Sequence, residues 1–358
     1  MKKATCFICT LLAVIVLNAT VRTVSNSPAT LAQFNTIQAA IDASSSGDTV
    51  LVHGSPNQYG GFTINSKRLA IIGPGWSPDK NLGFQAVVQQ SAIVGTASSN
   101  SEIQGLYFVG SLDINSAPHP DNIKIIRNQF AGVRVHIHQS STTYTGYLFE
   151  GNYFDNGQVY ANSSSTTYTN FLFQNNWFVE TGCCWNGSFD GFQNTTGVLL
   201  NHNLFSSSAG NQRDVFAGGA RFINLTNNIF IRRNAASSLS NSTFTNNLTF
   251  GTGNNTPWAS NGNVDAGDNI TDTDPQMATS VLGNPPSATS DFSIAAGPAN
   301  NAGADGKDIG LLYDATGSLN WANSRNSRLP RIFSMNISNP TVSSGGTLQV
   351  VVEARKSN

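Results

Sequence analysis

The sequence predicts an all-β chain wound as a parallel β-helix solenoid, and three observations carry that expectation. An eight-residue phrase recurs as IKIIRNQF (123–130), YLFEGNYF (147–154), FLFQNNWF (171–178), VLLNHNLF (198–205) and INLTNNIF (223–230). Aligned on Asn128, Asn152, Asn176, Asn203 and Asn228, the copies step by 24, 24, 27 and 25 residues, a period that belongs to solenoids. Within each copy the apolar positions alternate: Ile123/Ile125, Tyr147/Phe149, Phe171/Phe173, Val198/Leu200 and Ile223/Leu225. That spacing fits strands and not helices.

Each short strand then pairs in parallel with its copy about 4.8 Å away in the next coil, so that like residues stack. The closing column, Phe130, Phe154, Phe178, Phe205 and Phe230, becomes an aromatic ladder inside the coil. The asparagine falls at the corner after the strand, where a left-handed backbone is tolerated. Its amide can bond to the same amide in the coils above and below. A looser sixth copy, STFTNNLTF (242–250), aligns through Asn247, and IQGLYF (103–108) is the same phrase without its asparagine. A ligand-binding role for these asparagines would leave their periodicity unexplained. A leucine-rich repeat would need a leucine spacing and a return segment that are absent.

Composition narrows the function. Only 11% of the 358 residues are charged and the balance is nearly even, Lys+Arg 19 against Asp+Glu 20, where an ordinary soluble domain carries roughly 25%. No basic surface points to nucleic acid. Lys2 and Lys3 precede an apolar run from about Phe7 to Leu17, and Leu17-Asn18-Ala19 offers a cleavage site. Residues 1–19 therefore read as a signal peptide, which predicts a secreted or cell-surface protein. No later run is long enough for a transmembrane segment. Cys183 and Cys184 are the only cysteines beyond this leader; adjacent cysteines form only a strained bridge, so a vicinal disulfide and two thiols both stay open. The chain contains 42 asparagines, so its many Asn-x-Ser/Thr triplets say little about glycosylation.

The stretch FNTIQAAIDASSSGDTVLVHGSPNQYGGFTINSKRLAIIGPG (34–75), followed by the asparagine-ended repeats, resembles the pectin-lyase-like superfamily of right-handed parallel β-helices. The resemblance covers roughly residues 30–315. It implies a short amphipathic helix, about Ile37 to Ser44, capping the open end over about 34–46, which would otherwise expose an apolar cross-section and a free strand edge. The segment DFSIAAGPANNAGADGKDIGLL (291–312) is similar to the closing segment of bacterial β-helix surface proteins. Residues 251–290, rich in Gly, Asn, Asp and Pro, are expected to carry the last coils with insertions. Residues 316–331 read as a linker, and 332–358 as a C-terminal β-hairpin too short to close a sandwich.

The resemblance implies a polysaccharide or cell-surface glycan as partner of a monomeric chain, which binds it or serves a structural or adhesive role without catalysis, or alternatively cleaves it. The galacturonan-hydrolase motifs Asn-Thr-Asp, Asp-Asp, Gly-His-Gly and Arg-Ile-Lys are absent. The stretch NHNLFSSSAGNQRDVFAGGARFINLTNNIF (201–230) resembles the later coils of pectate lyases, which remove a proton beside a uronate carboxylate with Ca²⁺ as cofactor. On that match Arg213 is the candidate catalytic residue and His202-Asn203 the structural pair. The context Arg-x-Pro-Arg is replaced by RDVF, and no counterpart of the family's lysine stands in the preceding coil. Asp190, Asp214, Glu180, Asp155 and Glu150 sit at different offsets from their repeat phenylalanines, so they form no single calcium column.

Trp177, Trp185, Asp190, His202 and Asp214 are the candidate substrate-contacting residues. Tyr153 and Trp177 share one repeat position with Leu204 and Ile229, which also fits corner packing. His136 and His138 alternate on one strand and face one side, as a hydrated face or as two metal ligands lacking a third. The insertion CCWNGSFDGF (183–192) departs furthest from the repeat, and solenoid insertions gather on the binding face.

Overall fold

The computed structural model describes residues 19–76, 84–182, 184–207, 213–280, 290–313, 321, 330–337 and 345–356; residues 1–18 of the leader and Cys183 lie outside it. The repeats wind into a parallel β-helix. Its three long parallel sheets have eleven, eight and seven strands, all paired between successive coils. One coil shows the plan: Leu148–Glu150 lies in the eleven-stranded sheet, Tyr153–Asp155 in the eight-stranded sheet and Gln158–Ala161 in the seven-stranded sheet.

Register is in step through the repeats, with Ile125 opposite Phe149 and Phe130 opposite Phe154. The predicted aromatic column is continuous. Phe108, Phe130, Phe154, Phe178, Phe205 and Phe230 stack with centroids 4.4–5.1 Å apart and planes within 17°. Stacked pairs of this kind add about 0.5–1.5 kcal/mol each beyond their area burial.

The asparagines form a seven-membered ladder. Asn128, Asn152, Asn176, Asn203, Asn228 and Asn247 each donate both backbone N–H and Nδ2 to the Oδ1 of the next asparagine, ending on Asn269, at 2.9–3.2 Å. The second Nδ2 proton of each goes to a strand carbonyl, as from Asn176 to Phe149. Asn269 lies in a stretch too irregular to align by eye. The left-handed residue is not the ladder asparagine but the one before it: Arg127, Gly151, Asn175, His202, Asn227 and Asn246 all have φ of 50–64°. The turn spends its strained conformation one position early and leaves the ladder amide aimed along the axis.

The helix Ile37–Ala43 covers the N-terminal end, with Ile37, Ala40 and Ile41 buried. Thr36 Oγ1 caps it by accepting from Ala39 N at 3.1 Å, and Lys67 Nζ donates to the carbonyls of Ile41 and Ser44. The first strand of the eleven-stranded sheet, Val21–Val24, precedes this helix and pairs with Thr49–Val52, so the solenoid begins ahead of residue 30. Its last strand is Val264–Asp265. Pro330–Ile337 and Val350–Lys356 form an antiparallel pair.

Residues 292–313 and Trp321 form a strap outside the repeats. Phe292, Ile294, Ala299, Ile309, Leu311 and Trp321 pack on the outer face of the eight-stranded sheet. They cover the outward column Tyr153, Trp177, Leu204, Ile229 and Leu248, which makes a second apolar layer. The left-handed asparagines fasten this strap: Asn175 Oδ1 accepts from Leu312 N and Asn227 Oδ1 from Ala304 N.

Replacing Asn176 by Ala strips the acceptor from Asn152 N–H and Nδ2 and the side-chain donor from Phe149 O in a dry interior. Each buried group left unpaired costs about 1–3 kcal/mol, so Asn176→Ala is expected to lower the unfolding free energy by about 3 kcal/mol or more. A urea denaturation midpoint within error of the parent would show that the ladder does not hold the coils.

Candidate active site

Of the three outer faces, the seven-stranded sheet gathers ionisable and aromatic side chains that converge. Its outward column, read from strand register, runs Thr63, Ala92, Asp113, His136, Tyr160, Asp190, Ala217, one residue per coil. Between the outward positions lie the buried Leu112, Val135, Val159, Phe189 and Phe216, which fix the strands to the core. The pleat therefore sends the polar residues outward on a rigid surface.

His136 Nδ1 lies 2.6 Å from Asp113 Oδ1, and Gln90 Nε2 donates to Asp113 Oδ2 at 2.6 Å. The side chains of His136 and Asp113 retain 24% and 17% exposure. The hydrogen bond from His136 holds the Asp113 carboxyl below its ordinary range, with Gln90 assisting and partial burial opposing. A charged Asp113 can only accept, so His136 donates through Nδ1 and Nε2 is the ring nitrogen left to exchange a proton. His138 stands beside it, with ring centroids 6.0 Å apart, and Tyr160 meets the two rings edge-on at 5.5 and 4.9 Å. Burial, then His136, push the His138 imidazole below its usual value, which favours its neutral form.

Arg134, two residues before His136, completes the cluster. Its guanidinium carbon lies 3.8 Å from the Trp185 ring centroid and 4.3 Å from that of Tyr160, a sandwich between two aromatic faces. Nε donates to Gln158 Oε1 at 2.7 Å. Among the described residues no acceptor engages its two terminal nitrogens. Asp190 stands in the coil after Tyr160 and accepts from Asn162 Nδ2 at 3.0 Å. Burial raises its carboxyl, against the pull of Arg134 and Asn162.

The insertion supplies Trp185, and Arg213 holds the insertion. Arg213 Nη1 donates to Trp185 O at 3.0 Å and Nη2 to Gly182 O at 3.2 Å. Behind it, the fully buried Arg233 donates to the carbonyls of Arg213 and Asp214 and to Ser188 Oγ. Its guanidinium is pushed down to about 10 by burial and favoured most by Glu180. Asp214 contributes its carbonyl and a bridge to Asn234. Cys184 is exposed and disulfide-bonded, so the thiol alternative is removed for that residue.

The sequence candidates thus divide. Trp185 and Asp190 enter the cluster. Arg213 and Asp214 stand behind it as supports of the loop. Trp177, fully buried, presents no ring to solvent: it stacks on Tyr153 at 4.4 Å, meets Phe292 at 4.8 Å and donates Nε1 to Ser206 Oγ. His202, 1% exposed, lies under the strap between Gly310 O and Asp305. Burial lowers its imidazole. Asp113, Arg134 and Tyr160 were not singled out from sequence. The only signal was the His136-x-His138 alternation, to which register adds the neighbouring coils.

The arrangement limits the chemistry. Asp113 and Asp190 are three coils apart, about 14 Å at about 4.8 Å per coil, beyond the 6.5–9.5 Å of an inverting carboxyl pair. Among the described residues no three His, Cys, Asp or Glu side chains converge so as to hold a metal ion. The residues therefore do not fit the Ca²⁺ that the lyase resemblance implies, and no step is derived through it. An oriented imidazole and a tyrosine hydroxyl form an acid–base set beside a guanidinium whose terminal donors, among the described residues, are open to an anion.

Two predictions follow from these contacts. Asp113 has a depressed carboxyl, so its contribution to stability is complete above about pH 4, its unfolded range, and is lost as pH falls through its lower folded value. Asp113→Asn should lower the melting temperature at pH 7 by several degrees, with the gap to the parent closing below about pH 4; a gap independent of pH would refute the pairing. Trp185 is the only one of five tryptophans that is partly exposed, so collisional quenching of fluorescence reports on it. Arg213→Ala should raise the quenchable fraction while leaving the circular dichroism spectrum unchanged.

No protein-family model matches the chain, and no curated protein matches it.

Proposed function

We propose that the chain is an exported polysaccharide lyase of the pectin-lyase-like superfamily, which binds an acidic glycan across the seven-stranded face and cleaves it by β-elimination. The carrying observation is the Asp113–His136 pair at 2.6 Å beside Tyr160 and the Arg134 sandwich on one solvent-facing surface. The leader-like residues 1–19 and the low charge favour work outside the cell.

In this reading Arg134 pairs with the uronate carboxylate through its terminal nitrogens and neutralises the charge that grows there as the adjacent C–H bond breaks. His136 Nε2 takes that proton. The electron pair left on carbon forms a ring double bond, and the bond to the glycosidic oxygen on the next carbon breaks. The Tyr160 hydroxyl protonates that oxygen as it leaves, and the proton on His136 returns to Tyr160 through solvent. Asp113 keeps the imidazole in its reactive tautomer and stabilises the imidazolium that forms. Trp185 offers an apolar ring edge to the sugar. The same Arg134 and Trp185 surfaces also support binding without turnover, the second reading.

Incubation with acidic polysaccharides, followed by ultraviolet absorbance of unsaturated ends, tests the reaction. His136→Ala should lose about 10²–10⁴-fold in turnover with binding retained, Tyr160→Phe should lose turnover similarly, and Arg134→Ala should weaken binding as well. Binding of an acidic polymer with no unsaturated product from the parent protein would leave the binding reading in its place.

A further inference from the structure

The seven-stranded face does not end at Asp113. Toward the capping helix it continues as an open trough of about 380 Å³, lined by Gln38, Gly61, Thr63, Gln90, Ala92 and Asp113 among others. Ala92 and Thr63 occupy the two outward positions that precede Asp113 in the column. Gln38 closes the end, its Oε1 accepting from Thr63 N and its Nε2 donating to Thr63 O and Asp42 Oδ1. Small side chains make the space, and amides and a hydroxyl line it. Among the described residues its lining contains no lysine and no arginine.

We infer that the polymer is a heteropolysaccharide in which uronate alternates with an uncharged sugar, the uronate lying over Arg134 and the neutral unit in the trough. The inference rests on the proposed elimination at His136. An extended glycan advances by about one coil per sugar, so neighbouring units meet neighbouring members of the outward column. A uronate in the trough would bring its carboxylate beside Asp113, whose negative charge is secured by His136 and Gln90. Among the described residues that line the trough no lysine or arginine offsets the repulsion, which at about 5 Å is worth about a factor of four in bulk water and a few hundred at the effective dielectric of a protein surface. A neutral sugar meets what the trough provides: donors and acceptors for hydroxyls, and the open space above Ala92 for a ring. The Arg134 guanidinium lies on the other side of Asp113 and suits one carboxylate per pair of sugars.

The test compares kcat/KM of the full chain, from absorbance of unsaturated ends, on two homopolyuronates, polygalacturonate and alginate, and two alternating polymers, hyaluronan and rhamnogalacturonan backbone. At least one alternating polymer should exceed both homopolymers by about tenfold or more. Ala92→Arg, a change at an outward position that the core does not feel, should narrow that ratio about tenfold by placing a cation in the trough. Homopolyuronates cleaved as well as or better than both alternating polymers, in a reaction lost in His136→Ala, would overturn the alternation and leave the elimination standing. A ratio unmoved by Ala92→Arg would likewise overturn it. Turnover of none of the four polymers would overturn the elimination and the alternation together.

Discussion

Coil-to-coil register is the constraint on which everything else in this protein depends, and the asparagine ladder imposes it. A primary amide offers two donors and a two-lone-pair acceptor without charge, so a column of them can be satisfied completely while dry. Six asparagines from Asn128 to Asn247 do this with both backbone and side-chain donors, and Asn269 accepts from the last of them. A slip of one residue in any coil would break the ladder and turn that coil's pleat inside out, sending Phe154 or Phe178 to water. Registration at the corner therefore fixes which residues face out on every sheet, including those that meet in the candidate site.

That constraint also decides which face is available for function. The eight-stranded sheet presents Tyr153, Trp177, Leu204, Ile229 and Leu248 outward, an apolar stripe that water would not tolerate at such length, and residues 292–313 with Trp321 cover it. The seven-stranded sheet presents Asp113, His136, Tyr160 and Asp190 at the same spacing. Support for the site runs inward through a series of cations. Arg233, buried and favoured by Glu180, holds the Arg213 and Asp214 carbonyls. Arg213 holds the carbonyls of Gly182 and Trp185, and Trp185 lies against Arg134. Arg233 and Arg213 are each tied to backbone carbonyls, so the loop is positioned by the solenoid although it departs from the repeat.

The sequence made the inside of this fold legible and most of its outside illegible. Columns such as Phe130, Phe154 and Phe178 can be read because an interior that stacks like on like demands the same residue every coil. Asn269 escaped because the alternation around it has decayed at the last coil. The site column escaped for the opposite reason: a working surface needs Asp, His, Tyr and Asp in succession, which no search for self-similarity detects. His136 and His138 could be seen to share a face, but their partners Asp113 and Tyr160 stand one coil away on either side. The burial of Trp177 and His202 depends on a strap more than a hundred residues downstream, as the contacts of Asn175 with Leu312 and His202 with Gly310 illustrate. The turn conformation was misplaced by one residue, because a ladder amide and a left-handed corner are both asparagine preferences and adjacent asparagines such as Asn175-Asn176 divide them.

The charge layout of the site follows from the same geometry. In a pairwise ion bridge Asp113 and Arg134 would cancel and leave a neutral surface. Instead the carboxylate is committed to His136 and Gln90, while the guanidinium is held by Gln158 and two aromatic faces. Aromatic faces stabilise a cation without occupying its N–H donors, so Arg134 keeps both its charge and its terminal nitrogens for a ligand. The face therefore carries the Asp113 carboxylate one coil to one side of His136, and the Arg134 guanidinium over the Tyr160 ring one coil to the other. An anionic chain laid along this face meets attraction at Arg134 and repulsion at Asp113. That gradient fixes which sugar lies over the base and gives the bound polymer a direction, which a uniform face of stacked asparagines and threonines could not do.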